Sequence, residues 1–304
     1  MSRMDSLPDW NDLRVFLAVA RQGTISLAGE RLGIEHSTVS RRIDRLEADL
    51  GVVLFDRRRT GYSLTDAGQA LIPHAERMES ALLEAVEESA GLGVRVKGTV
   101  RVGSPEGVGI HLIAPGLTKL RREHPELQVQ LIPQPQYPSL VAREVDILIT
   151  LDPPEVGRYK VARLTEVDYS IYCSPGYRDS HPPIHQLSDL AEHSFVDYIH
   201  DGSLSGFFRV LEELTPHPNR SFTSTSVLAQ REAAAAGMGL VALSPFVADL
   251  SDDLVCVFPG QSLVTRTLWI TAPEDLLRLK RTRVVWDFIR EMIEARPELF
   301  RRAG

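Results

Sequence analysis

The sequence predicts an α/β chain: an α-rich winged helix-turn-helix module, then one long linker helix, then a larger part in which strands and helices alternate. Three observations carry this. Residues 26–47 hold two short helical patterns parted by Gly33, and residues 66–89 form one Ala- and Glu-rich helical stretch. From Val94 onward, apolar strand-like runs alternate with helical patterns. A chain of 304 residues suits a small domain followed by a larger one.

Pro8 and Asp9 open the first helix, where Leu13, Phe16, Leu17 and Ala20 recur at spacings of three and four and supply a core. Ser26 is expected to cap the second helix, which carries Leu27, Ala28 and Leu32, and Gly33 to end it at positive φ. Ser37 is expected to cap the third, whose Val39, Ile43 and Leu46 face inward. Ser37, Thr38, Ser40, Arg41 and Arg45 then lie on other faces. Hydroxyls and guanidinium groups near the start of a short helix suit base edges in a major groove. A solvated basic face on an αα-hairpin is the competing reading. Residues 51–65 read as two short strands around an Arg58-Arg59-Thr60-Gly61 turn. Arginines at such a tip, with Arg57 beside them, suit phosphate or minor-groove contact. Arg42 and Arg45 are expected to hold phosphate as well.

These residues resemble a family. Ala28, Leu32, Ser40, Ile43, Leu46-Glu47, Leu50-Gly51, Leu54-Phe55, Arg57 and Leu64-Thr65-x-x-Gly68 are similar to the N-terminal pattern of LysR-type transcriptional regulators. Gly29 stands where a second alanine is usual, and His36 where glutamine is frequent. The resemblance therefore implies a base contact at His36 but not its preference. It also implies an interrupted palindromic operator in double-stranded DNA, with RNA polymerase as a further partner.

Charge agrees. The chain carries −7 overall, but residues 1–65 hold ten Arg against nine Asp or Glu, a net +1, leaving −8 on the rest. An acidic rear part repels phosphate and leaves the arginine-bearing front to make contact.

The linker helix runs from Asp66 to about Ser89 behind Thr65, with Pro73 in its second turn expected to kink it. Leu71, Ala75, Met78, Leu82, Ala85 and Ser89 alternate steps of four and three, a weak coiled-coil seam. An ordinary amphipathic helix docked on its own domain is the alternative. The resemblance implies pairing through this helix into homodimers or homotetramers, with Leu71, Ala75, Met78, Leu82 and Ala85 as the seam. Gly91-Leu92-Gly93 reads as a joint, giving a 1–65 DNA-binding domain, a 66–93 linker and a 94–304 effector domain.

Beyond it, strands are expected at 99–103, 127–132, 146–150, 194–198, 220–223 and 239–243, and helices at 109–123, 205–214 and 226–236. This βαβαβ order, given twice, demands largely parallel sheets with helices on both faces. Two long extended stretches, 161–173 and 263–271, read as crossovers, and 275–293 as a closing helix. The pattern resembles the effector domain of the same family, a two-lobed fold like the type 2 periplasmic binding proteins. Lobe I would take about 94–164 and 267–304, and lobe II about 165–266.

Open sheets of this kind bind ligands outside the carboxyl ends of their strands. That address gives Ser104, Glu106, Thr150, Asp152, Tyr198, His200, Ser203, Ser226 and Ser244 as candidate effector contacts. Each taken singly also fits a helix cap or a solvated loop. Glu106 and Asp152 near the cleft, with no obvious arginine, favour a small polar effector, a polyol or sugar-like molecule as readily as an acid.

Enzyme signatures are missing from the sequence. Gly103-x-x-x-Gly107-x-Gly109 is neither a dinucleotide fingerprint nor a P-loop, and no Gly-x-Ser-x-Gly elbow occurs. His181 and His185 flank a Pro-Pro pair without an adjacent ligand cluster, so no metal is expected, and no cofactor. Cys173 and Cys256 lie in apolar strands and read as buried thiols, not a redox pair. No apolar run approaches the roughly 20 residues that span a bilayer. With only these two cysteines and no signal-like start, the expected location is the cytoplasm, away from membranes. Two functions remain open: a ligand-gated transcription factor, or a solute-binding or small-molecule enzyme domain whose front module only oligomerises.

Overall fold

The computed structural model describes residues 8–58, 61–89, 96–133, 140, 144–152, 158–199 and 208–301, with the backbone alone at 58 and 87–89. They fall into two compact units, the first running to Val94 and taking in 139–144, the second holding the rest.

In the first unit, α1 spans Trp10–Gln22, α2 Ile25–Leu32 and α3 His36–Leu50. The hairpin strands β1 and β2 span Phe55–Arg58 and Gly61–Leu64, with Phe55 opposite Leu64, and α4 follows at Asp66–Ser89. Asp9 caps α1 through the Asn11 N–H, and Gly33 ends α2 at φ 66°.

Both expected serine caps are corrected. Thr24 is the extended residue before α2, and its hydroxyl accepts from the Leu27 N–H at 3.3 Å. Ser26 falls inside the first turn. For α3, the Thr38 and Val39 N–H groups already donate to the Glu35 carbonyl, so helical bonding begins two residues earlier than a Ser37 cap allows. A cap must keep a non-helical backbone, which Ser37 has lost.

Phe16, Leu17, Val39, Ile43, Leu46, Leu54 and Phe55 are all nearly or wholly inaccessible and form one core. Thr65 joins the hairpin to α4, donating to the Val53 carbonyl at 2.7 Å and accepting from the Gly68 N–H at 3.1 Å. A Cβ on Gly68 would lie 2.2 Å from the Leu54 carbonyl oxygen, so only glycine lets α4 approach the wing this closely.

Ala75 corrects the seam. It is fully buried, with Leu71 and Ile72 packed beside it in the unit's own core. Arg21 reinforces this by pairing with Glu76 and Glu79. Leu71 and Ala75 thus serve the docked half of α4, while Met78, Leu82 and Ala85 are exposed.

The second unit opens with β3 at Gly98–Ser104. A continuous helical stretch follows: α5 at Glu106–Val108, a π-turn at Gly109–Ile113 and α6 at Ala114–Glu123. Then come β4 (Leu127–Pro133), β5 (Ile147–Thr150) and the long β6 (Tyr159–Cys173). Next are α7 (Pro175–Ser180), a 3-10 turn at Leu187–Glu192, β7 (Ser194–Tyr198) and α8 (Val210–Leu214). β8 (Asn219–Ser224), α9 (Val227–Ala235), β9 (Leu240–Leu243), α10 (Pro245–Ala248) and β10 (Val255–Cys256) complete this lobe. β11 (Val264–Pro273), a 3-10 turn at Leu276–Arg278, α11 (Lys280–Glu294) and a last turn at Pro297–Leu299 return to the first lobe.

Strand order is β4-β3-β5-β11-β6-β9-β7-β8, with β10 beside β6. β3 pairs parallel with β4 and β5, and β7 with β8 and β9. The two crossovers, β6 and β11, run antiparallel to each other and to β9 and β5 respectively, so the sheet is mixed at its waist. Alternation along the strands feeds both faces. Cys173, Phe195 and Leu240 enter one core of lobe II, and Tyr172, Val196 and Val241 the other. The two cysteines follow this alternation. Cys173 packs on one face and Cys256 on the other, and burial pushes the Cys173 thiol up to about 11. Among the described residues, no helix is long and apolar enough to cross a membrane.

Buried His193 has its Nδ1 3.3 Å from the Tyr177 hydroxyl, with the His181 ring beyond. Burial first, and the charge of His181 second, hold its pKa below the ordinary 6.5. The folded chain therefore takes up this proton later than the unfolded chain as pH falls. The stability this gives is complete above about pH 6.5 and is lost as pH drops through the folded pKa. Urea unfolding from pH 8 down to pH 5 should show that decline, and His193→Gln should remove part of it. An unchanged slope in the variant would contradict this origin.

Candidate nucleic-acid interface and effector cleft

On α3 the core and the outer face are cleanly divided. Val39, Ile43 and Leu46 are fully buried, whereas His36, Ser37 and Arg41 are exposed and Thr38 and Ser40 half-buried. The exposed set occupies the first two turns, and the helix start adds positive character beside His36 and Ser37.

The arginines divide by partner. Arg42 bonds to fully buried Asp12 at 3.2 Å, while Arg45 bonds to Asp12 and, at 3.2 Å, to Asp9. Arg57 reaches Asp44 and Glu47 and lies over the Tyr62 ring. Glu47 also accepts from the Leu54 and Phe55 N–H groups, tying the wing to α3. Arg42, Arg45 and Arg57 thus also brace the module through these carboxylates, a role that the sequence alone did not indicate. Among the described residues Arg41 forms no ion pair. The Arg58 side chain and all of Arg59 lie outside the described residues.

The cleft lies within the second unit. A cavity of about 40 Å³ is lined by the start of α5, the end of β7, the starts of α9 and α10, and side chains of β6 and β11. The cavity is well below the roughly 300–1,000 Å³ of typical ligand pockets. Its walls are mostly apolar, with Glu106, Tyr169, Asp197, Tyr198, Gln230 and Ser244 as polar members. Of the residues expected at the strand ends, Glu106, Tyr198 and Ser244 line it. Ser226 lies just behind, its hydroxyl donating to Glu106 at 3.0 Å.

Others do not reach it. Ser104 is fully buried beneath the π-turn, where a Cβ on Gly109 would lie 2.5 Å from its Oγ. Thr150 turns its hydroxyl onto the Asp152 carbonyl, and neither residue lines the cavity. His200 and Ser203 lie outside the described residues. Tyr169, Asp197 and Gln230 were not anticipated; Asp197 sits at the end of β7 beside Tyr198 and was accessible to the same strand-end argument.

Charge near the cavity is largely spoken for. Asp197 pairs with Arg220 at 2.8 Å. Arg231 is buried and bonded to Asp253, Ser251 and the Val247 carbonyl. His111, on the π-turn, is held below its ordinary pKa by burial and then by Arg231, against the opposing pull of Glu106. Elsewhere His181 stacks on Tyr177, and the His185 N–H donates to Asp189. Among the described residues no three His, Cys, Asp or Glu groups gather as a metal site.

Two family descriptions match the chain. "Bacterial regulatory helix-turn-helix protein, lysR family" covers residues 10–69, and "LysR substrate binding domain" covers 94–294. Among similar proteins is the HTH-type transcriptional regulator CrgA of Neisseria meningitidis serogroup C, 30% identical over 78% of this chain and 80% of CrgA. The HTH-type transcriptional activator TtdR of Escherichia coli K12 is 28% identical over 94% of each chain. In fold, ArgP from Mycobacterium tuberculosis superposes with a TM-score of 0.71 at 18% identity, over 98% of this chain and 100% of ArgP.

Proposed function

The chain belongs to the LysR family of DNA-binding transcriptional regulators, whose second domain binds small-molecule effectors, and on that premise we propose how its own residues divide the work. It is a regulator and not an enzyme. In this reading α3 enters the major groove of an interrupted palindromic operator. His36, Ser37, Thr38, Ser40 and Arg41 face base edges there. The wing, with Arg57, Arg58 and Arg59, follows the backbone or minor groove, and the open faces of Arg42 and Arg45 add phosphate contacts.

One observation carries this most: the outward face of α3 concentrates exposed donors around Arg41, the α3 arginine that, unlike Arg42 and Arg45, forms no ion pair among the described residues. Two copies, or four, pair through the exposed half of α4 and place two reading helices on one operator. A small polar, uncharged effector enters between the lobes, changes their spacing and so shifts how the copies sit on bent DNA before RNA polymerase. The protein acts in the cytoplasm and needs no cofactor.

DNase footprinting on the upstream region should reveal paired protected sites. Arg41→Ala should weaken specific binding by about 1–3 kcal/mol, with little change in melting temperature. Specific binding left intact would remove Arg41 from the reading face. Tight binding of a plain dicarboxylate in the cleft would defeat the uncharged effector.

A further inference from the structure

Glu106 sits on lobe I at the start of α5, and its carboxylate crosses to lobe II. Oε1 accepts from the Ser226 hydroxyl at 3.0 Å, and Oε2 from the Leu228 N–H at 3.5 Å. Ser226 is itself the cap of α9, accepting from the Ala229 N–H at 3.2 Å. The carboxylate therefore rests where the unsatisfied N–H groups of a nine-residue helix collect, a position that stabilises negative charge. The approach around it is close. A Cβ on neighbouring Gly107 would lie 2.7 Å from a Val247 methyl of lobe II. No cation competes for Glu106 from α9, because Arg231 is committed to Asp253 and Ser251.

We propose that Glu106 sets the effector class of this cleft: its carboxylate fills the anion seat at the start of α9, clasps the two lobes, and leaves the cavity to an uncharged molecule. A free carboxylate gains access to the seat only when that of Glu106 is removed. The clasp also makes lobe closure partly intramolecular, so an effector works against, or in place of, a contact the chain already makes. This rests on the cleft being the effector site, but the melting test of the clasp itself reads no DNA and no effector.

The test uses the full chain with sodium acetate as probe and sodium chloride at equal ionic strength as control. Thermal melting is followed for the wild type, Glu106→Ala and Glu106→Gln. In the wild type the two salts should act alike. Glu106→Ala should melt lower and recover several degrees in acetate beyond chloride. Glu106→Gln, which keeps the seat filled by an amide of the same shape, should show no such preference. Equal behaviour of Glu106→Ala in both salts overturns the proposal, as does acetate stabilising the wild type equally well. If Glu106→Ala does not purify as a folded chain, its refolding yield in the two salts is read instead: a higher yield in acetate supports the seat, and equal yields reject it. Acetate rescue alongside an operator response that ignores every cleft ligand would retain the clasp and remove the effector reading.

Discussion

Replacing Asp12 with alanine is expected to loosen the reading helix and abolish specific operator binding, although Asp12 touches no DNA in the proposed complex. Asp12 is fully buried on α1, yet it is the shared partner of Arg42 and Arg45, in the second and third turns of α3. Breaking a buried ion pair typically costs about 3–5 kcal/mol. The two arginine side chains remain 31% and 50% exposed, so water takes up part of that loss. About 2 kcal/mol is the reasoned remainder for the first unit. Because α3 leans on α1 through these bonds, the loss also frees its orientation, and groove contacts are sensitive to orientation. Calorimetry should show the first unit melting earlier, and a gel shift should lose the specific complex. Asp12→Asn, keeping shape and part of the bonding, should fall between. Unchanged melting and unchanged binding would show that the arginines do not depend on Asp12.

That pairing also marks where sequence reasoning stopped. Val39, Ile43 and Leu46 were legible as an inward face because helical spacing puts them on one side, and all three are fully buried. The same spacing says nothing about which arginine meets a carboxylate thirty residues upstream. Arg41 and Arg42 are chain neighbours with equal chemistry; only the packing of α1 on α3 separates them. Caps were ambiguous for a related reason. Thr24 and Ser26 both carry hydroxyls, and the backbone conformation, not the residue type, selects between them.

In the second unit the long strands and their ends were readable, because apolar runs and turn residues mark them. The π-turn at Gly109–Ile113 was not, since it leaves the helical pattern of 106–123 unbroken. It matters for the cleft, because Ser104 is sealed beneath it instead of facing the cavity. Short α7 and α10 escape the periodicity although Ser174-Pro175 and Ser244-Pro245 mark their starts, a serine N-cap followed by proline at the first helical position, with the hydroxyl itself capping only α7. The strand end that puts Glu106 on the cavity wall is legible, but its partner Ser226 lies 120 residues away, a distance over which periodicity carries no information.

The two halves of α4 should respond in opposite ways to the same substitution. Ala75 is fully buried in the unit's own core, so Ala75→Glu inserts an unpaired charge there and should unfold the first unit. Met78 and Leu82 are 49% and 48% exposed, and Val86 extends the same stripe at 59%. Spaced four apart, the three span roughly 12 Å along the helix at 1.5 Å per residue. Large apolar groups left open in a row are the surface that a second α4 would cover. About half of each side chain is left to bury, worth about 1 kcal/mol, and a pair of α4 helices brings four of them together, so Met78→Glu with Leu82→Glu should weaken self-association by about a thousandfold. The fold itself should survive, since surface changes away from such contacts usually shift stability by no more than about 0.5 kcal/mol. Light scattering coupled to size exclusion should find the doubly substituted chain monomeric at concentrations where the wild type is assembled, with its circular dichroism unchanged. Operator binding should fall with it, because each half-site is then read by one module alone. Assembly that persists in the double variant would move the interface off this stripe and leave the exposed half of α4 without its proposed partner.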